Sequence, residues 1–286
     1  MYTKKETKEP GKRGGKFIRL HKLFPSMITI LALCLGITAL HYAIDGKFES
    51  ATMMIVLACI LDGLDGRVAR FFRSVSDFGA HLDTLSDVIS FGVSPGIIVY
   101  LWILHSATNG FGWAAVLIYV TCAALRLARF NVQNIPAPQH SATTQDDSAH
   151  KHKLKAEKMM LAFRKNFSVG LPMPIAAIAS LLPIMLSFKL TENLPLNPST
   201  VAIYLIFIGI LMVSKIPIFL GKYLRITAKQ IPAAICLGWV FMFCVAVQPW
   251  IALPALTILY LFTIPMHSAF FYLKLKELKK SHIAEN

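Results

Sequence analysis

Charged residues are scarce in this chain of 286 residues: they make up 15% of the sequence, against 55% for hydrophobic residues. Long apolar runs with so little charge exclude a soluble globular domain and are typical of a protein with several membrane spans. Acidic residues are the rarer charges, with 15 Asp and Glu against 29 Lys and Arg. The basic residues cluster between the apolar runs, as the positive-inside rule expects, so the net charge of +14 does not indicate nucleic-acid binding.

Cysteine is also rare, and the chain contains no CxxC pair. All five cysteines fall inside apolar runs: Cys34, Cys59, Cys122, Cys236 and Cys244. We therefore predict that they are small core residues, which excludes a disulfide framework and a cysteine-based metal site.

The apolar runs predict an all-α integral membrane protein with about eight transmembrane helices, each near the ~20 residues needed to cross a bilayer. The predicted spans are 26–43, 50–72, 77–104, 112–131, 168–188, 199–219, 229–247 and 250–273. The connections alternate between basic and weakly charged. This alternation predicts that both termini face the cytoplasm, as expected for a protein of the cytoplasmic (inner) membrane.

The same pattern divides the chain into four regions. A basic tail with an amphipathic segment covers residues 1–23, and a core covers 24–220. Two further membrane helices cover 221–274, and a second basic tail covers 275–286. The core contains a polar stretch at 133–165, which we predict to be a cytoplasmic loop.

Four aspartates near the ends of the second and third runs stand out, because ionisable groups at membrane depth are costly and usually functional. Asp62 and Asp65 are spaced i, i+3, and Asp83 and Asp87 are spaced i, i+4, so each pair lies on one face of its helix. If the two faces meet, they form a cage of carboxylates. Bare carboxylates so close repel each other, whereas hard divalent cations prefer oxygen ligands, so we predict a site for one or two such ions.

The residues around the aspartates suit a phosphorylated ligand. Gly63 and Gly66 lack side chains and would let a diphosphate or nucleotide approach the backbone, and Gly79 would let two helices pack closely. Arg70 ends the second span on its basic side, where it is placed to pair with a phosphate or a carboxylate. Asp87 is our candidate for a general base.

The pattern matches, position for position, the signature of the CDP-alcohol phosphotransferase family: Asp62-x2-Asp65-Gly66-x2-Ala69-Arg70-x8-Gly79-x3-Asp83-x3-Asp87. Eight fixed positions over 26 residues make a chance match improbable. The resemblance implies a membrane enzyme, usually dimeric, with an active site open to the cytoplasm. Such an enzyme transfers a substituted phosphoryl group from a CDP-linked donor to an alcohol and releases CMP.

The resemblance also implies roles for individual residues. The four aspartates would ligate a pair of divalent ions, Mg²⁺ or Mn²⁺, with Asp87 also the proposed base and Asp83 beside it. Around the CDP moiety it places Gly66, Ala69, Arg70 and Gly79. Flanking stretches resemble the serine-using branch of the family, which implies CDP-diacylglycerol as donor and L-serine as acceptor; these stretches are 82–95, 125–132, 167–174 and 212–217, with a weaker match at 24–29.

Three basic residues are candidates for binding serine or phosphate. Arg126 and Arg129 lie at the cytoplasmic end of the fourth span, where they are placed to clamp a carboxylate or a diphosphate. Lys215, near the end of the sixth span, is the third. The alternative for all three is an ordinary positive-inside anchor.

Three other functions stay open at this point. One is the same chemistry with another acceptor, such as glycerol phosphate, inositol phosphate or choline. A second is a divalent-cation transporter, because acidic residues facing each other inside a helix bundle also fit ion passage. The third is a non-catalytic membrane scaffold, which leaves the four aspartates unexplained. The fixed spacing of the glycines and Arg70 counts against transport.

Overall fold

The computed structural model describes residues 24–71, 77–106, 110–134, 167–190, 196–214, 217–219 and 247–284, together with Trp239, Phe243 and Val245. In these ranges the chain is mainly helical. Its helices are α1 (Phe24–Ile44), α2 (Phe48–Phe71), α3 (Asp77–Asp87), α4 (Ser94–Trp102), α5 (Phe111–Asn134), α6 (Met173–Ser180), α7 (Leu182–Leu190), α8 (Pro198–Val213) and α9 (Pro249–Ala284). A π-helical turn (Val88–Val93) joins α3 to α4, and a 3₁₀ turn (Leu104–Ser106) follows α4.

Local sequence sets several of these boundaries. The Asn197 side chain caps α8 by accepting a hydrogen bond from the Ser199 N–H at 3.1 Å, and Pro198 occupies the first turn. Between α1 and α2 the chain turns at Gly46, whose φ of 76° is a conformation that favours glycine.

Among the residues that the structure describes, four helical stretches are long and apolar enough to cross a membrane: Ser26–Ile44, Phe78–Trp102, Phe111–Val132 and Pro249–Met266. A helix pairs its own backbone polar groups, as the bilayer interior requires. These stretches match the first, third, fourth and eighth predicted spans. The helix α2 covers the second predicted span without a break. The prediction of a helical membrane protein is therefore confirmed.

Two predicted spans, 168–188 and 199–219, are helical over only a portion of their length. Residues Phe167–Val169 (β1) pair antiparallel with Pro217–Phe219 (β2), so one span begins in a strand and the other ends in one. At the start of the first of these spans, Gly170 has a φ of 81°, which lies outside helical backbone. Pro172 then directly precedes the start of α6. The predicted bounds of these two spans are wrong at those ends.

Several predicted segments lie outside the described residues: the N-terminal segment at residues 1–23, most of the loop 133–165, and most of the span 229–247. The eighth predicted span continues as one helix to Ala284, with Pro254 and Pro265 inside it. The predicted C-terminal tail at 275–286 is therefore helical as far as the structure describes it.

The core lies where α1 packs along α2 and α5 packs along α8, with α4 and α6 between these two pairs. Fully buried side chains at this centre include Ile55, Phe91, Ile98 and Tyr119. Burying each such side chain contributes roughly 1.5–3 kcal/mol, so this packing holds the helices in fixed positions around the site.

The π-helical turn begins directly after Asp87 and joins the acidic helix α3 to the buried helix α4. Two hydroxyl groups donate hydrogen bonds to its backbone carbonyls. Tyr119 donates to the Phe91 carbonyl at 3.0 Å, and Ser94 donates to the Ile89 carbonyl at 2.9 Å. The sequence patterns did not predict this turn.

Candidate active site

Four aspartates lie on two helices that share α1 as a neighbour. Asp62 and Asp65 belong to the C-terminal half of α2, and Asp83 and Asp87 to the C-terminal half of α3. Because both helices pack against α1, that helix holds the two acidic faces relative to each other.

Three of the four carboxylates converge, and we call them the carboxylate triad: Asp62, Asp83 and Asp87. Each offers one oxygen, and these oxygens all lie within 4.8 Å of one another. The Oδ1 atom of Asp83 is buried and has no hydrogen-bond partner among the described residues. A buried acceptor without a partner is costly, and carboxylates at this spacing repel one another. A hard divalent cation would relieve both costs, so the donor set fits such an ion.

Asp65 lies beside the triad. It is 6% exposed, and its Oδ2 accepts a hydrogen bond from the Thr29 hydroxyl at 2.7 Å. It also interacts electrostatically with all three carboxylates of the triad. Asp65 thus accepts a hydrogen bond from a threonine of α1, whereas Asp62 and Asp87 of the triad hydrogen-bond to each other. Thr29 is not among the site residues predicted from the sequence. The sequence points to it only through the stretch 24–29, which resembles the family weakly.

Two glycines of α2 leave open space over the backbone. Gly63 and Gly66 each follow an aspartate, and a Cβ added at either would meet no other atom of the described residues within 4 Å. Glycine inside a helix costs about 1 kcal/mol relative to alanine, and packing within the described residues does not offset that cost here. Such space is what the close approach of a ligand to the backbone requires.

The remaining signature residues lie on the same two helices. Arg70 is exposed, and its Nε donates to the Gly66 carbonyl at 2.9 Å, which holds the guanidinium along the glycine side of α2. Ala69 belongs to α2, and Gly79 lies half-buried near the start of α3. The signature is therefore confined to the helices that carry the aspartates.

Arg126 approaches the site from α5. Its Nε atom is buried and has no hydrogen-bond partner among the described residues. Its guanidinium interacts electrostatically with Asp87 of the triad and with Tyr260 of α9. Tyr260 lies far beyond the signature, and no sequence pattern singled it out. A cationic donor that is buried and available suits an anionic ligand.

The other two basic candidates differ from Arg126. Arg129 donates from Nη1 to the Val213 carbonyl at 2.8 Å, which ties α5 to the end of α8 and uses some of its donor capacity. Lys215 lies outside the described residues.

The chain matches a protein family and several named proteins. The family described as CDP-alcohol phosphatidyltransferase matches residues 22–274. A protein of Mycobacterium leprae named CDP-diacylglycerol--serine O-phosphatidyltransferase is 30% identical over 246 residues, which cover 85% of this chain and 74% of that protein. A protein of Mycobacterium bovis with the same name is 33% identical over 205 residues, covering 72% of this chain and 63% of its own length.

An archaeal relative extends the comparison. The archaetidylserine synthase of Methanothermobacter thermautotrophicus is 32% identical over 197 residues, which cover 67% of each chain. The matched part of this chain therefore spans between 63% and 74% of the length of these relatives.

Proposed function

The chain belongs to the CDP-alcohol phosphatidyltransferase family, and on this premise we propose that it transfers the phosphatidyl group of CDP-diacylglycerol to the hydroxyl of L-serine. The products are phosphatidylserine and CMP. The observation that carries the proposal is the carboxylate triad, which lies on the two helices that hold the whole signature. The names of the bacterial and archaeal relatives support serine as the acceptor.

The triad and Asp65 are the residues that would hold divalent cations, a pair of Mg²⁺ or Mn²⁺ ions in our proposal. When bound, such ions neutralise the diphosphate and stabilise the charge on the leaving CMP. The unpartnered, buried Oδ1 of Asp83 supports this assignment.

Asp87 is the proposed base, and Asp83 is the catalytic carboxylate one turn before it. Asp87 takes the proton of the serine hydroxyl, and the hydroxyl oxygen attacks the phosphorus on the lipid side of the diphosphate. The bond from this phosphorus to the bridging oxygen breaks, and the electron pair leaves with CMP. Phosphatidylserine stays in the membrane, and the proton on Asp87 passes to solvent.

The nucleotide side of the site is formed by Gly66, Ala69, Arg70 and Gly79. The open space over Gly63 and Gly66 supports the approach of the diphosphate to the backbone of α2. The exposed guanidinium of Arg70 is available to the phosphates on the same side.

Arg126 is the proposed partner of the serine carboxylate. A guanidinium binds a carboxylate through parallel N–H bonds, and Arg126 has a buried Nε available for this. Its electrostatic interaction with Asp87 supports a position in which the bound serine presents its hydroxyl to the base. Arg129, through its remaining nitrogens, and Lys215 complete the basic side of the site.

The proposed architecture follows the sequence pattern. The protein has eight membrane helices in the cytoplasmic membrane, and both termini and the site face the cytoplasm. The enzymatic core covers 24–220, two further helices cover 221–274, and basic tails at 1–23 and 275–286 flank them. The protein acts as a homodimer, as the family resemblance implies.

The test is CMP release by the purified full-length protein in detergent, given CDP-diacylglycerol, L-serine and Mn²⁺ or Mg²⁺. We expect release that requires serine and stops with chelator, with phosphatidylserine identified by mass spectrometry. Release only with glycerol phosphate, inositol phosphate or choline would keep the reaction and replace the acceptor. Absence of release with every alcohol, together with Mn²⁺ flux into liposomes, would contradict the proposal and favour a transporter.

A further inference from the structure

Thr29 on α1 contacts both acidic helices. Its hydroxyl donates to Oδ2 of Asp65 on α2 at 2.7 Å, and its carbonyl accepts a hydrogen bond from the Ser86 hydroxyl on α3 at 3.3 Å. Ser86 directly precedes Asp87 of the triad. One residue of α1 thus joins the two helices whose carboxylates converge.

The hydrogen bond from Thr29 to Asp65 differs in kind from those of two other threonines in the described helices. The hydroxyls of Thr38 and Thr257 each donate to a carbonyl four residues earlier in the same helix. That local bond is common for threonine in helices and has no bearing on neighbouring helices. The Thr29 hydroxyl reaches a carboxylate on a different helix, which is a stronger acceptor.

The junction is shielded from solvent. Thr29, Asp65 and Ser86 are 5%, 6% and 3% exposed, respectively. At such depth a hydrogen bond to a carboxylate is strong and restricts the rotation of that carboxylate. Because Asp65 interacts electrostatically with the whole triad, its orientation affects the field at all three carboxylates.

The contact continues along α1, so it belongs to a built interface. One turn further on, the Ser90 hydroxyl donates to the Ala32 carbonyl at 3.4 Å. A Cβ at Gly36 would lie 2.5 Å from the Ser90 Oγ, so the backbones pass close together there. These contacts fix the chain on both sides of Asp87 against α1.

We propose that Thr29 is a positioning residue of the cation site: it holds Asp65 in one orientation beside the triad and, through Ser86, holds α3 where Asp87 meets Asp62. This role of Thr29 rests on the proposed function in one respect, which is that these carboxylates bind a divalent cation. Partners of this kind typically change metal affinity or activity by 10–100-fold when removed.

The test is Mn²⁺ binding by the purified full-length protein in detergent, measured by electron paramagnetic resonance of the free ion without CDP-diacylglycerol or serine. Thr29→Val keeps the shape of the side chain and removes the hydroxyl. We expect its Mn²⁺ dissociation constant to rise by roughly tenfold. Thr29→Ser retains the donor and should bind Mn²⁺ as the wild type does.

A matched control is Thr52→Val. Thr52 is a fully buried threonine of α2 whose hydroxyl has no partner among the described residues, so its loss should leave Mn²⁺ binding unchanged. If Thr29→Val does not yield folded protein, Thr29→Ala and Thr29→Ser take its place, and only the serine variant should bind Mn²⁺ normally. Normal Mn²⁺ binding by Thr29→Val or Thr29→Ala, even with a lowered melting temperature, would overturn the role.

The same experiment separates the two proposals. If the wild type binds Mn²⁺ and Thr29→Val weakens that binding, but serine never stimulates CMP release, the positioning role stands and the proposed acceptor fails. If serine-dependent release occurs and Thr29→Val matches the wild type in kcat, KM and Mn²⁺ requirement, the enzymatic function stands and the positioning role fails.

Discussion

The guanidinium of Arg126 and the carboxylate of Asp87 interact electrostatically, although the two residues lie on α5 and α3. A basic residue that served only as a membrane anchor would point its charge to the membrane surface. Arg126 instead has its Nε buried, and its charge interacts with that of the proposed base. The structure therefore separates Arg126 from Arg129, which bonds to the backbone of α8.

Arg126→Gln should raise the KM for serine by about tenfold or more, because a charged hydrogen bond to the acceptor carboxylate is lost. The KM for CDP-diacylglycerol should change little. Initial rates of CMP release at varied serine concentrations measure this. A suitable control is Lys47→Gln, since Lys47 lies in the exposed turn after α1 and pairs there with Asp45 at 3.5 Å. An unchanged serine KM in Arg126→Gln would mean that Arg126 is an anchor after all.

Asp87→Asn should reduce turnover to below roughly one hundredth of the wild-type value, because the amide cannot accept the proton of the serine hydroxyl. Asp62→Asn and Asp83→Asn should abolish CMP release through the loss of cation-binding oxygens. All three variants should still insert into membranes, since a neutral side chain relieves repulsion within the triad. Asp45→Asn, in the turn after α1, is the control for removing an aspartate as such. Near-normal turnover in Asp62→Asn or Asp83→Asn would contradict the assignment of the triad.

Gly66→Ala should weaken activity without weakening the fold. A Cβ at this position meets no atom of the residues that the structure describes within 4 Å, and alanine stabilises a helix by about 1 kcal/mol relative to glycine. The melting temperature should therefore stay the same or rise. The KM for CDP-diacylglycerol should increase, because the methyl group enters the space that we assign to the diphosphate. Thermal unfolding in detergent tests the expected melting temperature, and CMP release by the same preparation tests the expected KM. If Gly66→Ala has the KM of the wild type for CDP-diacylglycerol, the diphosphate does not occupy the space over Gly66.

Gly36→Ala should have the opposite effect and lower the melting temperature. Its Cβ would lie 2.5 Å from Ser90 Oγ and 2.8 Å from Ser90 Cα, so α1 must move away from the π-helical turn. Overpacking of this kind costs typically about 1–3 kcal/mol. Thermal unfolding measures the loss, and Gly63→Ala, where a Cβ has open space, is the matched control. Equal stability of Gly36→Ala and the wild type would mean that the contact between α1 and this turn is loose.

Helix periodicity was enough to predict the acidic faces of α2 and α3, because residues three or four apart must share one side of a helix. It did not show that Asp65 would accept a hydrogen bond from Thr29. These two residues are 36 positions apart in the chain, and their contact depends on how α1 packs against α2. Tyr260 illustrates the same limit, since its electrostatic interaction with Arg126 joins residues more than 130 positions apart, on α9 and α5.

Hydropathy did not predict the places where the backbone departs from regular α-helix. The pairing of β1 with β2 lies inside stretches that are apolar enough to be read as membrane helix, and hydropathy does not distinguish an apolar strand from an apolar helix. Hydropathy does not reveal the π-helical turn after Asp87 either, because the turn is as apolar as the helices around it. Its carbonyls accept hydrogen bonds from the hydroxyl groups of Tyr119 and Ser94.

The sequence by itself therefore determined that the protein is a helical membrane protein, which family signature it carries, and which aspartates share a face of each helix. Those properties follow from composition and from the identity and spacing of residues along the chain. Only the tertiary structure decided which three carboxylates converge, that Thr29 donates a hydrogen bond to the fourth aspartate, and that Arg126 interacts electrostatically with Asp87. The physical reason is that these relationships depend on the packing of one helix against another, and side chains on different helices can meet at many registers that local sequence does not distinguish.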